Sequence, residues 1–404
     1  SLLVSGLSES VHRFKAKALY GTGVESAERT FTVEADADAP VFTNGPYAIQ
    51  PGGTFKDIIL SLQTVSGTPI PNADITLVLP AGFIYADGSS GSRIFRTGTN
   101  GRVTISGVKG PGAPGGHNLT ATYRNKTAMA RLVIIGVIST ISGIRSPKIL
   151  ASSPNGSYVY VGNDSTKVSV LDPTNLTVIE TINVGAEVEG VACSPDGTLI
   201  YVANMTAKTI TVFETVTFTK VKTISNPNNA WRVTCSVGGE RIYVSDASQS
   251  VAVISTANGA LLKNITTLQS SNEIVCTPDD RYAFVANSID TVSVIDTSDL
   301  SVIKTIPVSA EPQTITCNPD GTYVFVTNYS DNNISVIDTK SLLSIQSVSV
   351  QGPRGIVTSR DGSRIFVCNI NDQTVTVIEA ATWQVVMTIR VGINSTHGDT
   401  RVSQ

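Results

Sequence analysis

Side chains that could carry acid–base or metal chemistry are scarce in this sequence. It holds three histidines, with His12 and His117 in the N-terminal third and His397 near the C-terminus, where the HGD sequence is too short to indicate a site. Zinc-protease, nucleophile-elbow, paired-cysteine and phosphate-loop motifs do not occur. We therefore expect no catalytic residues and a protein that is not an enzyme.

The best candidates for recognition are residues held at one position of a repeat. Six of them, spaced by 41 or 42 residues, are Lys148, Glu189, Trp231, Asn272, Gln313 and Arg354, and two are followed directly by Arg232 and Glu273. Residues kept in register but varied in identity suit a tailored binding surface. Because aromatic and Arg side chains dominate binding energetics, Trp231 with Arg232 is the expected anchor. The alternatives are that these positions vary because nothing constrains them, and that the Trp plugs a channel.

Four of the five cysteines also recur at one position of the repeat. They are Cys193, Cys235, Cys276 and Cys317, and Ser152 and Thr358 occupy the same place elsewhere. Equivalent positions on neighbouring sheets lie beyond the Cα separation that a disulfide needs, so we expect small buried residues and neither disulfides nor a metal site. Cys368 lies in a different apolar stretch and is also expected in the core.

Acidic residues cluster where Glu34, Asp36 and Asp38 alternate with alanine. Oxygen-rich clusters suit Ca²⁺, so Asp36 and Asp38 are weak candidates for a Ca²⁺ site at a junction between domains. A complete site needs further ligands from neighbouring loops, and a solvated linker is the alternative. No other cofactor is expected.

The elements that must position these residues repeat six times. The units begin SPNGSYVYVGND, SPDGTLIYVANM, SVGGERIYVSDA, TPDDRYAFVANS, NPDGTYVFVTNY and SRDGSRIFVCNI, and each contains three further apolar stretches. In the SPDG turns, Pro sets φ, Asp bonds the local backbone and Gly supplies a positive φ, while the later Asn tolerates the left-handed region. Four short strands per unit predict a β-propeller over residues 137–404. The candidate recognition residues, which recur at one position of the repeat, would then lie in loops at the mouth of the propeller's channel.

The number of blades stays open between two alternatives. Residues 137–142 align with an outer strand and residues 399–403 resemble an inner strand, so the two segments could share a closing blade. This predicts a seven-bladed ring with an incomplete last blade. A six-bladed ring with loose ends is the alternative.

Units of the form SPDG, YVAN, VSVID and VIKTI resemble the YVTN family of β-propeller repeats over about 265 residues. That family occurs in archaeal surface-layer proteins, where propellers accompany sandwich domains, and in bacterial envelope and secreted proteins. The resemblance implies an extracellular or cell-surface location. Some periplasmic members also suggest nucleic-acid binding, which would require a basic face.

The N-terminal third predicts sandwich domains. Alternating stretches VHRFKAKALYG and SAERTFTVEA indicate the last hairpin of a truncated sandwich over residues 1–38, whose other strands would precede Ser1. Residues 39–136 hold six further strand patterns and a TNG turn, which predict an immunoglobulin-like sandwich. The order GTPIPNADITLVLP, TGTNGRVTISG and HNLTATYRN resembles the bacterial Ig-like domains of invasin- and intimin-type proteins, which implies a spacer in a rod.

Composition narrows the possible partners. The net charge is −3 without a basic run, so nucleic acid is not expected, and no run of 18 apolar residues is present to span a membrane. Ten Asn-x-Ser/Thr sequons, Asn118, Asn175, Asn264 and Asn328 among them, permit surface glycosylation without indicating it.

The sequence thus predicts an all-β, non-enzymatic surface or secreted protein, with a propeller head on an Ig-like stalk. Its role would be adhesion, surface-layer structure or partner binding, with a protein or glycan ligand on one propeller face. The alternative is a propeller enzyme or a small-ligand or polysaccharide binder that uses the axial channel. A nucleic-acid-binding YVTN protein is the second alternative, and the oligomeric state stays open.

Overall fold

A computed structural model describes residues 11–14, 29–32, 39–45, 47–134, 140–163, 166–267 and 269–391. All regular secondary structure in these ranges is β-strand, and they contain no helix long and apolar enough to cross a membrane. The chain separates into two compact units, Ser1–Ile138 and Ser139–Gln404. The division of the first unit into modules 1–38 and 39–136 stays a prediction.

The first unit begins with an antiparallel pair, β1 (Val11–Phe14) and β2 (Arg29–Thr32). These strands lie within the two stretches expected to form a terminal hairpin. The acidic cluster that follows, with the Ca²⁺ candidates Asp36 and Asp38, lies outside the described residues.

Two sheets make up the rest of this unit. The smaller sheet has the order β3 (Val41–Phe42), β5 (Ile58–Ser61) and β8 (Arg102–Ile105). The larger sheet has the order β4 (Tyr47–Ile49), β10 (Lys126–Ile134), β9 (Gly115–Tyr123), β6 (Asp74–Val78) and β7 (Ser92–Arg96). Ile58 and Leu60 of the smaller sheet share one buried core with Leu77, Leu119 and Leu132 of the larger, so the unit is a β-sandwich.

The TNG turn is present but does not close a hairpin. Gly101 has a φ of 69° and donates its N–H to the Gly98 carbonyl, as a tight turn requires. The flanking strands pair with different partners, because β7 lies beside β6 and β8 lies beside β5. The turn therefore carries the chain from one sheet to the other.

The described residues of the second unit form six four-stranded antiparallel sheets, which we number sheet one to sheet six in chain order. The innermost strands are β11 (Ile149–Ser152), β15 (Val188–Cys193), β19 (Arg232–Cys235), β23 (Ser271–Cys276), β27 (Pro312–Cys317) and β31 (Pro353–Thr358). The second strands are β12 (Val159–Asn163), β16 (Leu199–Asn204), β20 (Arg241–Ser245), β24 (Tyr282–Asn287), β28 (Tyr323–Asn328) and β32 (Arg364–Asn369). All six innermost strands line one central cavity, so the sheets are arranged radially as propeller blades.

The outer half of each sheet completes the blade. The third strands are β13 (Lys167–Asp172), β17 (Thr209–Glu214), β21 (Ser250–Ser255), β25 (Thr291–Asp296), β29 (Asn333–Asp338) and β33 (Thr374–Glu379). The outermost strands are β14 (Thr177–Asn183), β18 (Lys220–Ser225), β22 (Leu261–Thr266), β26 (Ser301–Pro307), β30 (Leu343–Ser349) and β34 (Gln384–Arg390). Residues 140–142, expected to belong to an outer strand, form no strand, and residues 137–139 and 399–403 lie outside the described residues.

The hydrophobic cores lie between consecutive sheets. Phe325 of sheet five, for example, belongs to one buried cluster with Ile356, Ile365 and Ile378 of sheet six. Second and third strands therefore bury both of their faces, which explains why they read as continuous apolar runs instead of alternating ones.

The asparagine that ends each YVAN-type strand is a buried structural residue. Asn204 is 1% exposed, and its Nδ2 donates to Thr209 Oγ1 (3.0 Å) and Thr211 Oγ1 (2.8 Å) on the next strand. It is not in the left-handed region, so tolerance of a positive φ is not its role. Asn328 occupies the equivalent place and is fully buried, so its sequon is not a surface glycosylation site, whereas Asn118, Asn175 and Asn264 are exposed.

The SPDG turns also connect the sheets to one another. The proline of one turn packs against the glycine of the next sheet's turn, a pairing we call the turn contact. A Cβ added to Gly321 would lie 3.2 Å from Pro278 Cδ, and the other turn contacts join Pro154 to Gly197, Pro195 to Gly239 and Pro319 to Gly362. Glycine in these turns thus supplies both a positive φ and room for the neighbouring ring.

Candidate functional site

The eight candidate recognition residues lie at one end of the innermost strands. In sheets two and six, Glu189 and Arg354 are the extra residues of β-bulges, since Val188 and Gly190 pair with Asn204 and Ala203, and Pro353 and Gly355 pair with Asn369 and Cys368. Bulges re-aim side chains out of the ladder.

The same irregularity recurs in sheets four and five. Asn272 with Glu273 falls at a register shift in β23, and Gln313 falls at one in β27. Lys148 and Trp231 directly precede β11 and β19, and Arg232 begins β19. We call the eight residues the bulge ring: Lys148, Glu189, Trp231, Arg232, Asn272, Glu273, Gln313 and Arg354.

One part of the bulge ring is a buried ion chain that joins sheets one, two and three. Lys148 Nζ pairs with Glu189 Oε1, and Arg232 Nη1 lies 3.6 Å from Glu189 Oε2 and donates to the Glu189 carbonyl. The side chains of Glu189 and Arg232 are 7% and 4% exposed. These two residues were expected in open loops, but the bulge and the short spacing between inner strands direct them into the junctions between sheets.

Trp231 contacts the last residue of this ion chain, Arg232. The Arg232 guanidinium lies 4.6 Å from the centre of the Trp231 ring, which suits a cation–π contact. The Trp231 backbone N–H donates to the Ser245 carbonyl (2.8 Å), and the side chain is half-buried. The predicted pair of Trp231 and Arg232 is therefore in contact, with the Trp as its accessible member.

The remaining residues of the bulge ring are half-buried, and hydrogen bonds of their side chains or backbone hold them in place. Asn272 Nδ2 donates to the Pro312 carbonyl (2.7 Å), Gln313 Nε2 donates to Glu311 Oε1 (3.2 Å), and the Thr314 hydroxyl donates to the Arg354 carbonyl. Because the Asn272 and Thr314 bonds link consecutive sheets, the strand ends are fixed while the side chains stay partly accessible.

Further polar residues at this end of the strands had not been expected. Glu311, with a φ of 59°, accepts a hydrogen bond from the Ser330 hydroxyl as well as from Gln313. Tyr329 follows β28 and donates its hydroxyl to Asn371 Oδ1 (3.1 Å). The position of Glu311 also holds Glu before sheet two, as Glu187, so the repeat alignment offered a partial signal for it, whereas no other unit has an aromatic residue at the position of Tyr329.

The axial cavity lies deeper than the bulge ring and has a volume of about 360 Å³. Its lining is mainly Ile, Val, Ala, Thr and Cys, and Glu273 is the member of the bulge ring that reaches it. Thr234 Oγ1 donates to the Ile274 carbonyl (2.8 Å), so this hydroxyl serves the contact between sheets. The described residues contain no group of three or more His, Cys, Asp or Glu arranged to hold a metal ion.

The cysteines of the cavity are unreactive thiols. Burial raises the pKa of Cys193 to about 11, and it raises the pKa of Cys235 and Cys276 further. All five cysteines are free, with Cys317 and Cys368 buried, in agreement with the expected absence of disulfides. Since the nucleophile is the thiolate, these groups have little nucleophilic character at neutral pH.

Comparison with known proteins identifies the fold of the second unit. A model of the YNCE-like beta-propeller matches residues 242–403, and a model of the cytochrome D1 heme domain matches residues 138–236. The second unit is a β-propeller. Each model covers less than half of the chain, and no curated protein matches it.

A solved structure is similar to a large part of this chain. It is that of Kuenenia stuttgartiensis hydrazine synthase, with a TM-score of 0.57 and 19% sequence identity over 64% of this chain and 91% of that chain. At this identity the likeness establishes the fold alone.

Proposed function

We propose that the propeller is a non-catalytic binding module that recognises a protein or glycan through the bulge ring. The observation that carries this proposal is that one position, equivalent in the six described sheets and bulged in four of them, holds a different polar, charged or aromatic residue in each. A core position of the second strand, by contrast, holds Tyr or Phe in all six described sheets and is buried in five of them. Conserved architecture with varied side chains at one end is typical of repeat-protein binding faces.

Within this face the accessible anchors are Trp231 and Arg354. Trp231 is half-buried against Arg232, so its ring is already ordered and loses little entropy on binding. Arg354 is half-buried at a bulge whose carbonyl is fixed by Thr314. Glu189 and Arg232 act as supports, because their charges are buried between sheets.

The setting we propose is the cell surface or a secreted protein. A chain in which a sandwich unit is followed by a propeller unit is consistent with the architecture that the YVTN and invasin-type resemblances imply, with an Ig-like stalk and a propeller head. Adhesion or surface-layer structure would follow from that arrangement. Nucleic acid is a poor partner for a chain of net charge −3.

The axial cavity has fewer polar and catalytic groups than an enzyme or a binder of small polar ligands needs. Its aliphatic lining and protonated thiols supply neither a general base nor a nucleophile, and Glu273 is the one carboxylate among the described residues that line it. A polysaccharide or a polar substrate needs several convergent polar groups. The surface face is therefore the better candidate for recognition.

One of the matching family models is named for a haem domain. The residues of this chain that could contact a haem do not fit that cofactor. Haem iron is held by His, Cys, Met or Tyr. The matched range 138–236 contains no histidine, and among the described residues no Met, Tyr, Lys or Arg lines the axial cavity. Burial raises the pKa of Cys193 and Cys235, opposite to what a thiolate ligand requires. We propose no cofactor.

The test compares two double variants of the full chain on a printed glycan array and against immobilised cell-envelope proteins. Trp231→Ala with Arg354→Ala removes both anchors, and we expect the binding seen with the unaltered protein to fall at least tenfold. Arg281→Ala with Lys220→Ala is the matched control, because Arg281 also stacks on an aromatic ring, Tyr282 (4.8 Å), in an exposed turn at the opposite end of the inner strands. Equal binding by both double variants would remove the bulge ring as the site.

A further inference from the structure

A cluster of polar side chains lies beside the bulge ring, at the end of the strands where sheets five and six meet. Its members are Glu311, Gln313, Tyr329, Ser330 and Asn371, and we call it the loop cluster. Gln313 belongs to the bulge ring, and the other four lie in the loops that precede β27 or follow β28 and β32. All five are half-buried or exposed. The loop cluster therefore extends the accessible part of the bulge ring.

Glu311 supplies the hydrogen-bond acceptors of the loop cluster. Its Oε1 accepts a hydrogen bond from Gln313 Nε2 (3.2 Å), and its Oε2 accepts one from the Ser330 hydroxyl. In the described part of the propeller no Lys or Arg forms an ion pair with this carboxylate. Because an ionised carboxylate has about four acceptor sites, both oxygens keep acceptor capacity for a ligand.

The backbone of Glu311 has a conformation that favours glycine. Its φ is 59°, and Gly352, at the equivalent position before sheet six, has a φ of 58°. Ser146 before sheet one also has a positive φ, whereas Glu187 before sheet two does not. A residue with a Cβ is strained in this region, so glycine would suit the loop better. A carboxylate kept at a strained position indicates a role beyond folding.

Tyr329 and Asn371 add an aromatic ring and an amide to the loop cluster. The Tyr329 backbone N–H donates to the Glu311 carbonyl (3.0 Å), and the Tyr329 hydroxyl donates to Asn371 Oδ1 (3.1 Å). The other six tyrosines of the second unit lie in or directly before second strands, so the repeated core does not require an aromatic residue at position 329. Because Asn371 Oδ1 accepts from Tyr329, the Asn371 Nδ2 group is oriented as a donor.

We propose that the loop cluster binds a sugar residue of a neutral glycan. This inference rests on the proposed function and narrows its ligand from a protein or glycan to a glycan. Sugar hydroxyls donate to acceptors such as Glu311 and accept from donors such as Asn371 Nδ2, while the apolar C–H face of a sugar packs on a ring such as Tyr329. The carboxylates of Glu311, Asp331 and Asp372 would repel an acidic sugar, so the sugar is neutral.

The test measures saturation-transfer NMR of the full chain with the methyl glycosides of glucose, galactose, mannose and N-acetylglucosamine. We expect at least one glycoside to bind, and Glu311→Gln and Tyr329→Leu should each weaken its binding about fivefold or more. Asp290→Asn is the matched control and should leave binding unchanged. Asp290 is also an exposed carboxylate that accepts from an amide, Gln269 Nε2 (2.7 Å), but Ser288 follows the strand where sheet five has Tyr329.

A second measurement separates binding from folding. Glu311→Gly relieves the strain at a φ of 59°, so its urea unfolding midpoint should equal or exceed that of the unaltered chain while glycoside binding is lost. A lower midpoint would show that the Glu311 carboxylate serves the fold and would overturn the proposal.

The proposal is also overturned if no glycoside binds the unaltered chain, or if Glu311→Gln or Tyr329→Leu binds as well as that chain does. The proposed function does not fail with it. That function fails only if Trp231→Ala with Arg354→Ala leaves binding to immobilised cell-envelope proteins and printed glycans unchanged, so the two failures are distinguishable.

Discussion

Val237 donates its backbone N–H to Asp280 Oδ1, 3.3 Å away, across the junction between sheets three and four. At this junction both members of the turn contact are replaced, the proline by Val237 and the glycine by Asp280. Proline has no N–H to donate and glycine has no side chain to accept, so the two replacements depend on each other. One packing contact has been exchanged for one hydrogen bond.

Restoring both members of this turn contact should stabilise the propeller. Asp280 has a φ of 53°, which glycine adopts without strain, and proline at position 237 reduces the freedom of the unfolded chain. We expect Val237→Pro with Asp280→Gly to raise the free energy of unfolding by about 1 kcal/mol. Urea unfolding of the double variant and both single variants measures this. A double variant less stable than either single one would contradict the exchange described above.

Glu189 should matter for stability far more than its neighbour Glu187. Glu189 lies between Lys148 and buried Arg232, so Glu189→Gln removes the carboxylate that balances a buried charge. We expect a loss of about 2 kcal/mol, below the 3–5 kcal/mol of fully buried pairs because a third of the Lys148 side chain is exposed. Chemical denaturation gives the value.

Glu187→Gln is the matched control for this ion chain. Its carboxylate lies 4.0 Å from Lys148 Nζ, and both side chains are 34% exposed, so the change should cost less than about 0.5 kcal/mol. Similar losses in the two variants would show that the burial of Glu189 is energetically unimportant.

The buried thiols predict loss of stability at alkaline pH. Burial raises the pKa of Cys193 to about 11 and that of Cys317 to about 12, above the value of 9 for a free thiol. A raised pKa means that the folded state holds the proton more tightly, so its stabilising contribution is complete below pH 9 and declines as the pH rises to 11 or 12. Thermal unfolding between pH 7.5 and 11 should show a falling midpoint.

Cys193→Ala tests this explanation and should reduce the fall of the unfolding midpoint at alkaline pH. Cys368→Ala shows the effect of losing a buried cysteine from a different strand. At pH 8 the thiols should react with a disulfide reagent far more slowly than free cysteine, and at the normal rate in urea. Rapid reaction in the folded protein would show that the cysteines are accessible thiolates.

Much of the propeller followed from local sequence. The turn residues, the apolar stretches and their spacing predicted six four-stranded units, because turn chemistry and strand patterning act over a few residues. The eight candidate residues lie at one end of the inner strands, six of them within the strands and not in the loops that the sequence led us to expect. Their bulges were not predicted, since a bulge depends on how two strands pair, which the spacing of residues along one strand does not reveal.

Long-range packing decided the rest. The sequence by itself determined which residue types recur, and hence the six four-stranded units and the equivalent positions of Lys148, Glu189 and Trp231 within them. Only the tertiary structure decided that Glu189 and Arg232 are buried supports and Trp231 the accessible anchor, because burial depends on what the neighbouring sheet contributes. The same reason explains Phe366, which has the sequence pattern of a buried core residue and yet lies beside a junction that no described sheet covers.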